Sequence, residues 1–477
     1  MKLLLLLPLL SFAAIGSLSA THNTGGSVTY RHVSGTTYEA TITTFTETRG
    51  VSADADRDSL ELDWGDGTIE FVLRSSIEPQ PDSARQINRY TATHTYAQDG
   101  QYRLGMVDRN RTASIVNIEN SVNEAFVLTS DLTVDVDMLS NSSPRFLTPL
   151  LYLARAGEPI EFAIGGTDAD GDILIYSLDT PLGLGYTEVD YTLPAGVRLT
   201  PTGGQFSWTP ADNLRGTFAF AVEVSEFRDG EGIGSVVREF VVVVNEGPGF
   251  TGGGDVGLVG AVGDDGYGQQ VLHVAPGDQV DLEFAYTPGS GNVDLLSLAG
   301  FSESSTTVTG GEFQPAVDAD VLRFTWTPTV DEARCAAYPV IVRATEQSDG
   351  HQFVYDASVM VYVREGNGAA CDDAIAGAIT SSTARPLSQQ QARLHCFPNP
   401  TVSELHIRLS TDEPATRSYS VRVYDLTGRR RLEHNLGGSE AATISLRDFT
   451  AGSYVGVLVD GSGNAVDRVP FVVLDAN

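Results

Sequence analysis

Phe206-Ser207-Trp208-Thr209-Pro210 returns 118 positions later as Phe324-Thr325-Trp326-Thr327-Pro328. In each copy Phe and Trp fall on alternate positions, so an extended strand carries aromatics on one face and Ser or Thr on the other. The proline then ends the strand, because it has no N–H to give a ladder. Around this segment the order repeats at an offset of 120. Gly157-Glu158 with Ile160 and Phe162 matches Gly277-Asp278 with Val280 and Leu282, and Glu226 with Asp229-Gly230 matches Glu346 with Asp349-Gly350. Each copy closes on a β-branched run, Val236 to Val244 and Val354 to Val363. Such a repeat reads as two tandem β-sandwiches of roughly 110 residues.

The pattern extends both ways. Leu60-Glu61-Leu62-Asp63-Trp64 alternates apolar and acidic, Asp66-Gly67 suits a two-residue hairpin turn, and Ile69, Phe71 and Leu73 resume the alternation over the same core. Tyr96 precedes Gly100, after which Tyr102, Leu104 and Met106 alternate, as where a tyrosine corner enters a strand. Toward the C-terminus Leu405, Ile407 and Leu409 alternate, as do Tyr419, Val421 and Val423, which predicts a compact small sandwich. Gly247-Pro248-Gly249 leading to Gly252-Gly253-Gly254 reads as a joint, and the Ala, Ser, Thr and Gln stretch after Val363 as a flexible linker. The expected class is all-β, tandem β-sandwiches followed by a small C-terminal one. The expected parts are 1–20, 22–137, 140–246, 255–365, a linker 366–393, and 394–477.

Composition bounds the partners. In 477 residues, 30 Lys plus Arg stand against 62 Asp plus Glu, a net charge of −32. A polyanion repels phosphate backbones and anionic headgroups, which excludes nucleic acid. Lys2 is the only lysine. It precedes the apolar Leu3 to Leu10 and the small residues Ser17 to Ala20, the three parts of a secretory signal, with cleavage after Ser19 or Ala20. No later run reaches the ~20 apolar residues of a membrane helix. Among Cys335, Cys371 and Cys396 one intrachain bridge is possible in an oxidising compartment. Cys335 and Cys371 flank the same predicted sandwich and are paired, leaving Cys396 as a small buried hydrophobe or a free thiol.

Several of these residues resemble known families. Trp64-Gly65-Asp66-Gly67-Thr68, His94-Thr95-Tyr96 and Gly100-Gln101-Tyr102 look like the signature of a polycystic-kidney-disease-type (PKD) domain, an immunoglobulin-like extracellular module, here with an insertion Ser75 to Arg89. The two repeats resemble immunoglobulin-like and cadherin-like modules of bacterial surface proteins. The start, Thr21 to Gly26 with Val28 to Arg31, is similar to mature starts of large surface proteins of gliding Bacteroidetes. Val423-Tyr424-Asp425-Leu426-Thr427-Gly428-Arg429, Leu446, Ala451 to Val455 and Phe471-Val472-Val473 look like the type IX secretion C-terminal sorting domain over roughly 394–474. Arg468 stands where that family often has lysine, and Leu474 to Asn477 extend past the last strand. The resemblance implies export across the outer membrane of a Gram-negative bacterium by the type IX machinery, which would act on residues 394–477, and commonly removal of this domain with anchoring at the cell surface.

Chemistry is sparse. There is no Gly-x-Ser-x-Gly, no HExxH, and the eight histidines are scattered. Gly252 to Gly257 fits GxGxxG without a helix pattern to follow, and Arg429-Arg430-Arg431 reads as a solvated strand end. No catalytic residue and no organic cofactor site is expected. In Asp168-Ala169-Asp170-Gly171-Asp172, three carboxylates at alternate positions can converge on a hard cation such as calcium, or form a solvated turn. Ile173 at the sixth position, where glycine is required, rules out an EF-hand. The stretch Thr167 to Ser177 resembles the Asp-x-Asp loop of cadherin-like repeats, whose acidic interdomain motif stands here as Asn141-Ser142-Ser143-Pro144. Asp54-Ala55-Asp56-Arg57-Asp58 has similar spacing, with Arg57 available to neutralise it. Asp66 and His94 are the nearest approach to an acid/base pair, with turn formation and strand packing as their structural reading.

The expectation is a non-catalytic modular surface protein acting as adhesin, matrix or stalk. The alternative is a carbohydrate-binding surface protein presenting aromatics to sugar rings, and a third reading is an unrecognised secreted enzyme. The ligand would be an extracellular protein or a glycan.

Overall fold

The computed structural model describes residues 23–474 apart from 49–56, 81–84, 110, 136–139, 150–151, 246–253, 290–293, 307–309, 317–319, 349–350, 367, 385–392, 398–400, 411–418, 426–428, 437–438, 440, 448 and 460–464. The predicted signal lies outside these residues. The chain packs as two compact units. One runs to Ala374 apart from residues 185–187, and the other comprises those three with Ile375–Asn477.

The first module of the larger unit has seven antiparallel strands. In sheet order these are Asn23–Ser34, Thr37–Glu47, Arg85–Thr95, Ile69–Gln80, Ser59–Asp63, Gly100–Asp108 and Phe126–Val134. Leu60, Leu62, Trp64, Tyr90, Tyr96, Leu104 and Met106 fill its core. The Tyr96 hydroxyl donates to the Trp64 carbonyl at 2.9 Å, tying the two motifs together. One expectation fails here. Strands pair Asp63 with Ile69, so five residues close the hairpin where a two-residue turn was expected. Gly65 and Gly67 both take positive φ, and a Cβ on Gly65 would lie 2.6 Å from the Arg103 carbonyl oxygen. Paired residues share a face, so Ile69, Phe71 and Leu73 join Asp63, Glu61 and Ser59 outside, and Val72 turns inward opposite Leu60.

The repeat is reproduced in the backbone. Ile160 pairs with Trp208 and Phe162 with Phe206, and Val280 pairs with Trp326 and Leu282 with Phe324. Gly157 and Gly277, at φ 80° and 90°, each donate a 2.7 Å hydrogen bond to the carbonyl after the strand, that of Pro210 or Pro328. Only glycine takes such a left-handed turn without strain. Trp208 and Trp326 are 2% exposed, and truncating either to alanine should cost about 3–5 kcal/mol.

The modules are joined through backbone as well as side chains. One edge of the Glu231–Asn245 strand bonds in turn to three partners: residues 130–132 and 25–27 of the first module, then Tyr152–Arg155 in parallel. This covers an edge that would otherwise template aggregation. Phe45 and Ile87 of the first module and Val354 of the third belong to the second module's core cluster.

The Ala369–Ala384 helix replaces part of the linker that the composition suggested would be irregular. Its alanines carry no side-chain entropy cost in a helix, and propensity outweighed the apparent low complexity. A disulfide joins Cys335 to Cys371 at the start of this helix. In the smaller unit, two sheets pack around Leu405, Ile407, Val421, Val423, Tyr454 and Phe471. One contains Arg393–Phe397, Glu404–Ser410 and Ala441–Ser445, and the other Arg430–Asn435, Ser420–Asp425, Gly452–Val459 and Ala465–Val473.

Candidate metal centre

The loop 168–172 folds around its first aspartate. Asp168 Oδ1 accepts the backbone N–H groups of Asp170 and Asp172, each at 2.9 Å, and Gly171 supplies the positive φ of 84° that turns the chain back. Carboxylate oxygens of Asp168, Asp170 and Asp172 thereby lie within 4.8 Å of one another. Asp168 and Asp172 are buried and Asp170 is exposed.

Three other segments close on the loop. Asp170 Oδ2 accepts the Ser142 N–H at 2.7 Å from the connection between the first two modules. Arg228 holds Asp172 with two hydrogen bonds, 2.7 and 2.5 Å, and donates to Asn141 Oδ1 at 3.0 Å. Glu226, two residues earlier on the same strand, is 0% exposed. Its Oε2 accepts from the Tyr30 hydroxyl and from Asn141 Nδ2, both at 3.3 Å. Its Oε1 and Asp168 Oδ2 are buried with no hydrogen-bond partner. The two carboxyls are within reach of a shared proton.

Two orphaned carboxylate oxygens buried together are costly, since each has lost its water without gaining a donor. Burial, then the neighbouring Asp172, pushes Asp168 up to about 6. Burial, then Asp168, holds Glu226 well above the usual carboxylate range. Such a pocket favours a proton or a hard cation, and its donors are all oxygen, as calcium and magnesium require.

The loop thus brings together Asp168, Asp170 and Asp172, with Asp172 engaged by Arg228. Glu226, Arg228 and Tyr30 were not read from the sequence as members of the site, whereas Asn141 opens the segment that stands in place of the acidic interdomain motif of cadherin-like repeats. Glu226 had one signal, its recurrence as Glu346 in the repeat. Of the second acidic stretch, Asp54 and Asp56 lie outside the described residues, while Arg57 pairs with Asp108 and Asp58 with Arg74. His94 Nε2 meets Asp66 Oδ2 at 2.8 Å and stacks on Trp64 at 5.0 Å between centroids. Burial pushes Asp66 up, but hydrogen bonds from Thr68 and His94 outweigh it and hold the carboxyl below its usual range. Gly254 is followed by a strand, Asp255–Leu258, and Arg429, Arg430 and Arg431 are exposed.

Comparison with known proteins follows this geometry. Residues 142–245 match the putative Ig domain family and residues 395–470 the secretion system C-terminal sorting domain family. No curated protein matches the chain. Among solved structures it is similar to one bearing on Dscam isoform specificity, at 10% identity over 93% of this chain and 95% of the other, with a TM-score of 0.18. It is also similar to dimeric latent PorU from Porphyromonas gingivalis, at 14% identity over 70% of this chain and 32% of that one, TM-score 0.16. Drosophila N-cadherin EC1-4 gives 9% identity over 96% and 97%, TM-score 0.17. The class is an all-β protein with immunoglobulin-like modules and a type IX sorting domain. The protein is accordingly exported by that route, and is a secreted, cell-surface or extracellular protein of the Bacteroidetes. Immunoglobulin-like and sorting domains are non-catalytic kinds of module. Among the described residues, no helix is long and apolar enough to cross a membrane.

Proposed function

We propose that the protein is a non-catalytic surface adhesin, matrix or stalk component whose modules form a stiff support, with a hard cation such as calcium held at Asp168, Asp170 and Asp172. The observation that carries the reading is the way the modules of the larger unit are joined. Their buried ionic groups reach across the joints: Arg111 to Glu239 between first and second, Arg155 to Glu346 between second and third. A stiff support that holds a partner at a distance from the cell needs such joints. The contact face offered outward is the ridge of Ile69, Phe71 and Leu73, which are 56%, 70% and 72% exposed.

The alternative, sugar binding, must do without tryptophan, because Trp64, Trp208 and Trp326 are all buried. It would rest on exposed Phe71 and Tyr267. The test is deletion of the gene in the native host and restoration with the full chain. Loss and recovery of attachment or cell–cell aggregation supports the reading. A hydrolytic activity of the purified chain, abolished by one point substitution, would overturn it. Glycan-array binding lost in Phe71→Ala or Tyr267→Ala would favour the sugar-binding alternative.

A further inference from the structure

The two repeats place a glutamate at the same position and neutralise it differently. Glu346 is 0% exposed, like Glu226, and lies at the next joint. Both its oxygens are partnered. Oε2 accepts the Tyr286 hydroxyl at 2.7 Å and the Gly254 N–H at 3.1 Å. Oε1 accepts the Tyr355 hydroxyl at 3.2 Å and the Arg155 guanidinium at 3.5 Å. Arg155 comes from the second module, stacks on the Phe353 ring of the third at 3.7 Å, and also pairs with Glu158. At this joint a protein cation sits against the buried glutamate.

The first joint differs in each of these respects. Asp168, Ala169, Asp170, Gly171 and Asp172 correspond at the repeat offset to Pro288, Gly289, Ser290, Gly291 and Asn292, and Arg228 corresponds to Ser348. The acids and the arginine have changed together. Four carboxylates, Asp168, Asp170, Asp172 and Glu226, meet one guanidinium, and that guanidinium is fixed on Asp172. Other arginines nearby are already engaged. Arg334 passes beside Gly171 but pairs with Glu303, and Arg103 pairs with Asp131. Glu226 Oε1 and Asp168 Oδ2 are both buried without a hydrogen-bond partner, whereas Glu346 Oε1 takes Tyr355 and Arg155.

We propose that Glu226 is a ligand of the cation together with Asp168 and Asp170, and that this cation locks the joint between the first and second modules only, Arg155 performing that task at the next joint. The inference rests on the cation reading of the 168–172 loop and adds to it a ligand from the strand Gly216–Arg228 and a location. Occupancy ties the first module in through the groups that hold Glu226, namely Tyr30 of that module and Asn141 of the connection. Asp172 is the least available carboxylate, since both its oxygens take Arg228.

The experiment uses the full chain without its signal, with calcium ions alone as probe, followed by calorimetry and by hydrogen exchange read by mass spectrometry. Wild type is expected to bind calcium and to gain protection at residues 25–32, 141–143, 168–172 and 226–240, with none gained around Arg155 and Glu346. Glu226→Gln, which is isosteric, is expected to bind on the order of tenfold more weakly or worse. In chelator it should be at least as stable as wild type, because the glutamine is neutral and its amide can offer Asp168 Oδ2 the donor that it lacks. Asp170→Asn, at an exposed position, should weaken binding without disturbing the fold, so the outcome does not hang on one variant. If calcium binds and Glu226→Gln binds it equally, the loop is a site and the inference fails. Protection spread equally over both joints also overturns it. If wild type gains neither heat nor protection, the cation reading itself falls and takes the inference with it.

Discussion

Arg343 and Asp356 face each other across adjacent strands of the third module through two hydrogen bonds of 2.7 Å, with side chains 4% and 0% exposed. Both then reach into the second module. Arg343 donates to the Pro149 carbonyl at 2.8 Å, and Asp356 Oδ2 accepts the Ala163 N–H at 3.0 Å. A buried pair of this kind contributes little against an apolar substitute, but removing one partner strands the other. Asp356→Ala is therefore expected to destabilise the larger unit by about 3–5 kcal/mol, read by urea unfolding of the full chain. A loss below about 1 kcal/mol would show that the pair does not hold this joint.

The first joint allows a sharper version. Arg111 and Glu239 form a buried ion pair, and Arg111 also donates to the Leu182 carbonyl at 2.8 Å and the Ala125 carbonyl at 3.2 Å. Arg111→Met alone leaves Glu239 buried and uncompensated. The double substitution Arg111→Met with Glu239→Met leaves an apolar contact instead. The single variant should lose about 3–5 kcal/mol and the double should recover most of it. Equal losses in both would mean that the Arg111 bonds to backbone carbonyls, not the ion pair, hold the joint.

The repeat and the site were legible to different degrees for physical reasons. Phe206 and Trp208 declare a strand because their period of two needs no tertiary information, and the pairing with Ile160 and Phe162 recurs with Val280 and Leu282. The outward face of Ile69 was not legible, since it depends on the loop length between Trp64 and Thr68, and one residue of register turns every side chain over. Asp168, Asp170 and Asp172 were legible as a cluster because they are local. Glu226 is 58 residues beyond Asp168 and reaches it through the pairing of Ile173–Asp179 with Gly216–Arg228. The helix at Ala369 was hidden by a composition that suits linkers as well.

Acid should favour the folded state over part of its range. Burial, then the nearby Glu223, pushes the Asp179 carboxyl up to about 6, above its unfolded value. The folded state therefore binds the proton more tightly. Its stabilising share is full below the unfolded pKa and is lost as pH rises through about 6. Asp179→Asn removes that share and should flatten the decline in melting temperature that runs from the ordinary aspartate value of 3.8 up to about 6. An unchanged profile in the variant would show that Asp179 titrates normally.

The two faces of the first hairpin make the last prediction, because the register assigns them opposite fates. Leu62 is fully buried opposite Glu70, whereas Phe71 is 70% exposed opposite Glu61. Leu62→Ala removes core atoms and leaves a cavity, at a cost of about 2–5 kcal/mol. Phe71→Ser removes an aromatic ring from solvent and should change stability by no more than about 0.5 kcal/mol. If the ridge of Ile69, Phe71 and Leu73 is the contact face, the same Phe71→Ser chain, exported normally, will fail to restore attachment to a deletion strain. Restoration by Phe71→Ser would place the contact elsewhere, and a large loss of stability would mean that the hairpin pairs in the register of a two-residue turn.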